Sequence, residues 1–211
     1  MSVTLAVLLA ALAQTPRQYD AALFENEYLR AHLVTLNLVG HYRTVADTPQ
    51  IVYCLGTFSV SRDSGARRRC AKDQVLFVDR GDQIELRADA EPRPDLLVVE
   101  LKQPATGQYV LLQEDATNAA PEVYRLLFEN ALLRVFRMTI GPGQKTKMHW
   151  HPGGDFLFPL TTATMRAILP DGGSSTLSLQ ARVPRWTAAA TRHALENNGP
   201  TEAVALLVEL K

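Results

Sequence analysis

The heptapeptide Phe24-Glu25-Asn26-Glu27-Tyr28-Leu29-Arg30 returns as Phe128-Glu129-Asn130-Ala131-Leu132-Leu133-Arg134, with five of seven positions identical. A second pair, Leu97-Val98-Val99-Glu100-Leu101-Lys102 and Leu206-Leu207-Val208-Glu209-Leu210-Lys211, closes each copy at nearly the same spacing. Self-similarity at a fixed period marks a chain built of like units. The expected units are 20–102 and 122–211. With 211 residues and 46% apolar content, the chain is long enough for two cores of about 100 residues each. Between the copies, Pro104, Gly107, Asn118 and Pro121 mark residues 103–121 as a linker. One extra strand is expected there, at Tyr109 to Leu112.

Within each copy the apolar residues come in short β-branched and aromatic runs, such as Ile51-Val52-Tyr53, Val75-Leu76-Phe77-Val78 and Phe156-Leu157-Phe158. These favour strands over helices. Turn signals at Pro142-Gly143, Pro152-Gly153-Gly154, Asp171-Gly172-Gly173 and Asn198-Gly199-Pro200 recur in the rhythm of sandwiches, barrels and jelly rolls. The fold class is all-β.

Basic and acidic residues are balanced at 22 each, so no strong field holds nucleic acid or an anionic membrane, and a small-molecule ligand is the expected partner. The basic run Arg67-Arg68-Arg69 reads as a solvated turn. Leu5 to Ala11 is too short an apolar run to span a bilayer as a helix. Its end at Ala11-Leu12-Ala13 resembles a signal-peptidase site, although Met1 to Thr4 holds no basic residue. Residues 1–13 are therefore a candidate signal peptide and the periplasm or exterior the expected location, with the cytoplasm as alternative. In an exported chain Cys54 and Cys70 form one bridge; in a cytosolic one they are small buried apolar residues.

The chemistry concentrates in the second copy. Alternation along a strand sends His149 and His151 to one face, about 7 Å apart. The turn at Pro152-Gly153-Gly154 brings Asp155 back close to them, and His193 lies in a later strand, expected over Thr187 to Leu195, that a jelly roll folds across the first two. Three nitrogens and an oxygen suit one divalent transition metal ion per chain, drawn from Fe, Mn, Zn, Ni and Cu. Asp155 is shorter than glutamate by about 1.5 Å, so it is either a fourth ligand or an acid/base catalyst beside the metal. Lys147, by the same alternation, faces the site as a substrate-binding residue. Trp150, Phe156, Phe158 and Trp186 are expected to pack, and His32 and His41 to be structural.

At this point the chain resembles the cupin superfamily, whose first motif reads G-x5-H-x-H, three or four residues, E-x6-G. Gly143, His149, His151 and Asp155 fall on it, with Asp in place of Glu and Thr162 in place of the closing glycine. The second motif, G-x5-P-x-G-x2-H-x3-N, is met by His193 and Asn197, while Arg182, Ala188 and Ala190 stand where Gly, Pro and Gly are usual. Leu169-Pro170-Asp171-Gly172 and the closing strand are similar to small exported cupin-domain proteins. The resemblance implies two jelly-roll β-barrels in tandem, a bicupin, either monomeric or homodimeric.

Aligned on the shared anchors, the first copy sets Thr44, Ala46 and Gln50 opposite His149, His151 and Asp155, and Ile84 opposite His193. None of these suits a transition metal. The expected function is a metal-dependent enzyme of oxygenase or isomerase type acting on a small molecule in the second barrel; the rival is a non-catalytic binding protein.

Overall fold

A computed structural model describes residues 22–36, 41–63, 65–88, 95–104 and 109–211. The candidate signal peptide at 1–13 lies outside the described residues. The first unit contains β1 (Phe24–Glu25), β2 (Leu29–Thr35), β3 (His41–Val45), β4 (Gln50–Cys54), β5 (Phe58–Arg62), β6 (Arg68–Cys70), β7 (Val75–Val78), β8 (Gln83–Arg87) and β9 (Asp95–Leu101). A single helical turn, α1 (Ala116–Ala119), precedes the second unit. That unit contains β10 (Tyr124–Glu129), β11 (Leu133–Ile140), β12 (His149–His151), β13 (Asp155–Pro159), β14 (Ala163–Ile168), β15 (Ser174–Leu179), β16 (Arg185–Thr187), β17 (Thr191–Glu196) and β18 (Ala203–Leu210).

Each unit is a pair of antiparallel sheets. The first has strand orders β1-β2-β9-β4-β7 and β3-β8-β5-β6; the second has β10-β11-β18-β13-β16 and β12-β17-β14-β15. The orders correspond strand for strand, so the chain is all-β and holds two tandem jelly-roll barrels. The anchors that betray the repeat meet in space. Asn26 accepts the N–H groups of Tyr28 and Leu29, and Asn130 accepts those of Leu132 and Leu133, which turns the chain into β2 and β11. Lys102 reaches Glu25 at 3.1 Å and Lys211 reaches Glu129 at 2.6 Å, tying each unit's end to its start.

The five-stranded sheets are covered on both faces. Leu29, Ala31, Leu97 and Val99 pack with Leu133, Phe156, Leu206 and Val208 in one core between the units. Alternate residues of the same strands, among them Val34, Val52 and Val98 in the first unit and Phe136, Met138 and Leu207 in the second, fill the two barrel interiors. Burial on both faces explains why β18 is apolar at all positions but one, where an antiparallel strand with a wet face would alternate. Phe156, Phe158 and Trp186 pack as expected, Trp186 stacking on Tyr28 at 5.6 Å and Phe156 tilted against Phe24 at 5.5 Å.

Cys54 and Cys70 form a disulfide inside the first barrel. Tyr109 to Leu112 is not a strand. Val110, Leu111 and Leu112 are exposed, and the ordered feature of the linker is α1, capped by Asp115, whose carboxylate accepts Thr117 N–H. Arg68 and Arg69 sit on β6 rather than in a turn, and are exposed as expected. Among the described residues no helix is long and apolar enough to cross a membrane.

Candidate metal centre

β12 pairs with β17 in the register His149↔His193, Trp150↔Arg192, His151↔Thr191. Residues directly opposite in an antiparallel pair share a face, so His193 joins the face on which alternation places His149 and His151. Ring centroids lie 4.7 Å apart for His149 and His193, 5.0 Å for His149 and His151, and 5.3 Å for His151 and His193. One donor nitrogen from each lies within 4.8 Å of the others. The strand expected over Thr187 to Leu195 is two strands, broken at Ala188–Ala190, where Ala190 has φ 61°.

Two rings are held from behind. Nδ1 of His149 lies 2.9 Å from the Lys147 carbonyl, an acceptor only, so it donates there and Nε2 carries the lone pair. Nδ1 of His151 lies 3.3 Å from Oε2 of Glu209 and 3.5 Å from Oδ2 of Asp155. This is the arrangement that fixes the tautomer of metal-ligating histidines. Nε2 of His193 is buried without a protein partner. Burial and the neighbouring imidazoles push His149 down to about 4 and His193 down to about 3, so both are neutral, as ligands must be. Burial would lower His151 too, but Asp155 and Glu209 outweigh it and raise its pKa.

Asp155 enters from the other sheet. The turn at Pro152–Gly154 carries the chain from β12 across to β13, where Asp155 pairs with Glu209 of β18 and Thr187 of β16. The turn demands glycine for space: a Cβ on Gly153 would lie 1.8 Å from the Leu210 carbonyl oxygen. Asp155 is buried, and burial, with Glu209 nearby, pushes it up to about 7. Its carboxylate groups with His151 and Glu209 on the Nδ1 side of the His151 ring, not with the three imidazole donors.

Glu209, Tyr124, Arg134 and Asp115 were not singled out from the sequence. Glu209 accepts from Tyr109 OH at 2.6 Å and from Arg134 Nη2 at 2.6 Å, and Arg134 reaches on to Asp115 with Nη2 at 2.6 Å and Nη1 at 3.1 Å. The linker thus supplies Tyr109 and Asp115 to a buried network ending at a histidine of the site. A signal was available for Glu209: it is the one charged residue in an eight-residue apolar strand, in phase with core-facing Ala205 and Leu207. Tyr124, fully buried, sets its hydroxyl 3.0 Å from Nε2 of His149. Burial and the Asp155 and Glu209 carboxylates hold that phenol well above its usual pKa.

A cavity of about 250 Å³ opens beside the site, lined by His151, His193, Asp155 and Tyr124 and by apolar residues including Met138 and Met165. Lys147 does not line it. β12 begins at His149, so the alternation does not extend back to Lys147, whose side chain is exposed and whose part is its carbonyl. The cation lining the cavity is Arg185. Trp150 lies on the opposite face, beneath Arg192.

In the first barrel the same registers recur with other residues. Thr44↔Ile84 takes the place of His149↔His193, and Gln50↔Glu100 that of Asp155↔Glu209. Ala46 is buried, His32 is buried with Nε2 3.8 Å from Glu100, and the His41 side chain lies outside the described residues. The Arg–Glu pairing persists there as Arg30 and Glu100, at 3.8 Å.

No protein-family model matches the sequence, and comparison with curated proteins gives no match. Solved structures do match. AerE from Microcystis aeruginosa superposes with TM-score 0.64 at 8% identity, over 88% of each chain. An oxalate decarboxylase variant from Bacillus subtilis gives 0.63 at 14%, over 87% of this chain and 69% of that one. A cupin 2 conserved barrel domain protein from Leptotrichia buccalis gives 0.53 at 14%, over 89% and 86%. The chain adopts the bicupin fold. Within it, Arg182 and Ala190, which stand where the resemblance expects glycine, have positive φ, 64° and 61°, the left-handed region that glycine favours. Asn197 is structural: it is buried and donates to the carbonyls of Ile140 and Thr201, each at 2.8 Å.

The residues present fit a divalent metal ion. Nε2 of His193 and Oδ1 of Asp155 are buried polar atoms without protein partners. Buried Asp115 and Glu209 share one guanidinium, that of Arg134, and buried Asp155 has none, which leaves negative charge for a cation to balance.

Proposed function

We propose that this bicupin binds one divalent transition metal ion through His149, His151 and His193 and acts, as a metal-dependent enzyme of oxygenase or isomerase type, on a small anionic molecule in the cavity of its second barrel. The observation that carries the reading is that one donor nitrogen from each of His149, His151 and His193 lies within 4.8 Å of the others, with Nδ1 of His149 bound to the backbone and Nε2 of His193 buried without a partner. Such an ion would supply Lewis acidity or a redox centre. Asp155, pushed up to about 7, is poised to hold or release a proton at the cavity wall, and Arg185 offers a cation to an anionic substrate. A hydrogen-bond donor besides the acid/base group Asp155, the Tyr124 hydroxyl, lines the same cavity and favours catalysis over passive capture. A Bacillus subtilis oxalate decarboxylase with Mn(II) centres shares the fold at 16% identity, which supports a metal in such a barrel.

Elemental analysis of protein purified without added metal tests the reading. It is expected to give close to one ion per chain, lost in His193→Ala. Two ions per chain, lost in separate variants, would contradict the single-site assignment; no ion retained and none taken up on titration would refute it. We further propose export, which the apolar run ending at Ala11-Leu12-Ala13 and the buried disulfide support; a mature chain from the native host still beginning at Met1 or Ser2 would overturn it.

A further inference from the structure

Tyr124 opens β10, and its ring stands edge-on to both His149 and His151, with centroids 5.1 and 5.6 Å away. Its hydroxyl lies 3.0 Å from Nε2 of His149. Because Nδ1 of His149 donates to the Lys147 carbonyl, Nε2 accepts, and the phenol is the donor. The lone pair that Tyr124 uses is the one His149 would offer an ion. The two claims exclude each other: once His149 ligates, a buried hydroxyl loses its acceptor and must find another. A neutral O–H beside the ion has one use left, which is to donate to whatever fills the remaining coordination position.

We propose that Tyr124 is a catalytic residue that donates its phenolic hydrogen bond to a small anion bound at the ion, and so selects for ligands with a compact anionic head such as a carboxylate. The inference rests on the metal reading above. It adds a donor to a cavity lining in which Met138, Met165 and Leu195 offer none.

Cobalt(II)-loaded protein titrated with azide, followed by the visible bands of the bound cobalt, tests it. Tyr124→Phe keeps the ring and its packing and removes the rival for the His149 lone pair, so it is expected to bind cobalt at least as tightly as the parent protein while binding azide about tenfold more weakly. Azide affinity equal to that of the parent protein would overturn the proposal. Loss of cobalt in Tyr124→Phe would also overturn it, by making the phenol a ligand. If the parent protein takes up no cobalt, there are no bands to titrate, and it is the metal reading beneath the proposal that has failed.

Discussion

Oε2 of Glu209 faces Nδ1 of His151 at 3.3 Å, while its other oxygen is held by Arg134 and Tyr109. The carboxylate is wholly buried, so its orientation is set by these partners and not by solvent. Glu209→Gln keeps the shape, but its amide oxygen must stay on the Arg134 and Tyr109 donors, which turns the NH2 toward Nδ1 of His151 and removes the acceptor there; metal binding is expected to weaken by about 10- to 100-fold. Glu209→Ala strands the Arg134 guanidinium with one carboxylate fewer and is expected to cost about 3–5 kcal/mol of folding stability. Calorimetric metal titration and denaturant unfolding read the two effects; unchanged metal affinity in Glu209→Gln would show that His151 needs no such support.

Removing His193 leaves two residues of one short strand to grip the ion from a single side, whereas removing Asp155 leaves the three imidazoles in place. His193→Ala is therefore expected to lose metal far more completely than Asp155→Ala. If Asp155 works as acid/base, Asp155→Ala abolishes activity while metal content stays nearly unchanged. Equal loss of metal in both variants would make Asp155 a fourth ligand.

Metal affinity is expected to depend on pH through one proton and not three. His149, near 4, and His193, near 3, are already free of protons at neutrality, whereas His151 is raised and Asp155 is pushed up to about 7. A dication must displace the proton held by the His151 and Asp155 pair, so binding tightens as pH rises. The Kd for a divalent ion should increase about tenfold per unit as pH is lowered from about 7 to 5. It should steepen only where His149 and His193 begin to charge, near 4 and below. A slope of three protons between about pH 5 and 7, read by calorimetry across buffers, would show three ordinary imidazoles.

Arg182 and Ala190 hold positive φ with side chains that resist it. Ala190→Gly relieves that resistance between β16 and β17 without touching the site, and is expected to raise stability by about 0.5–1 kcal/mol with metal content unchanged. A lower melting temperature in Ala190→Gly would mean that the methyl group contributes packing exceeding the strain.

The repeat was legible because its anchors do local, identical work: an asparagine turn at each start and a lysine at each end. The histidines were legible because spacing and strand alternation are enough to aim them together. Lys147 shows where that reasoning stops, since alternation holds only within a strand and β12 starts two residues later. Glu209 was hidden by the repetition itself. Its twin Glu100 made it look like part of an anchor, although the histidine facing Glu100 is His32 of the opening strand and the one facing Glu209 belongs to the three-imidazole cluster. Tyr124 and Arg185 reach the site from strands that no motif spacing connects to the histidines.

The sheet face that each barrel turns to its twin makes each half part of the other's core. Thr44, Ala46 and Ile84 show a copy from which imidazoles are missing, yet its Leu29, Ala31 and Val99 still roof Phe156, Phe158, Leu206 and Val208 of the other. Cut back to the metal-bearing half alone, the chain would bare that greasy wall to water and would be driven to cover it with a second copy of itself. The first half thus acts as a built-in cover for the second, permanently docked on its apolar face.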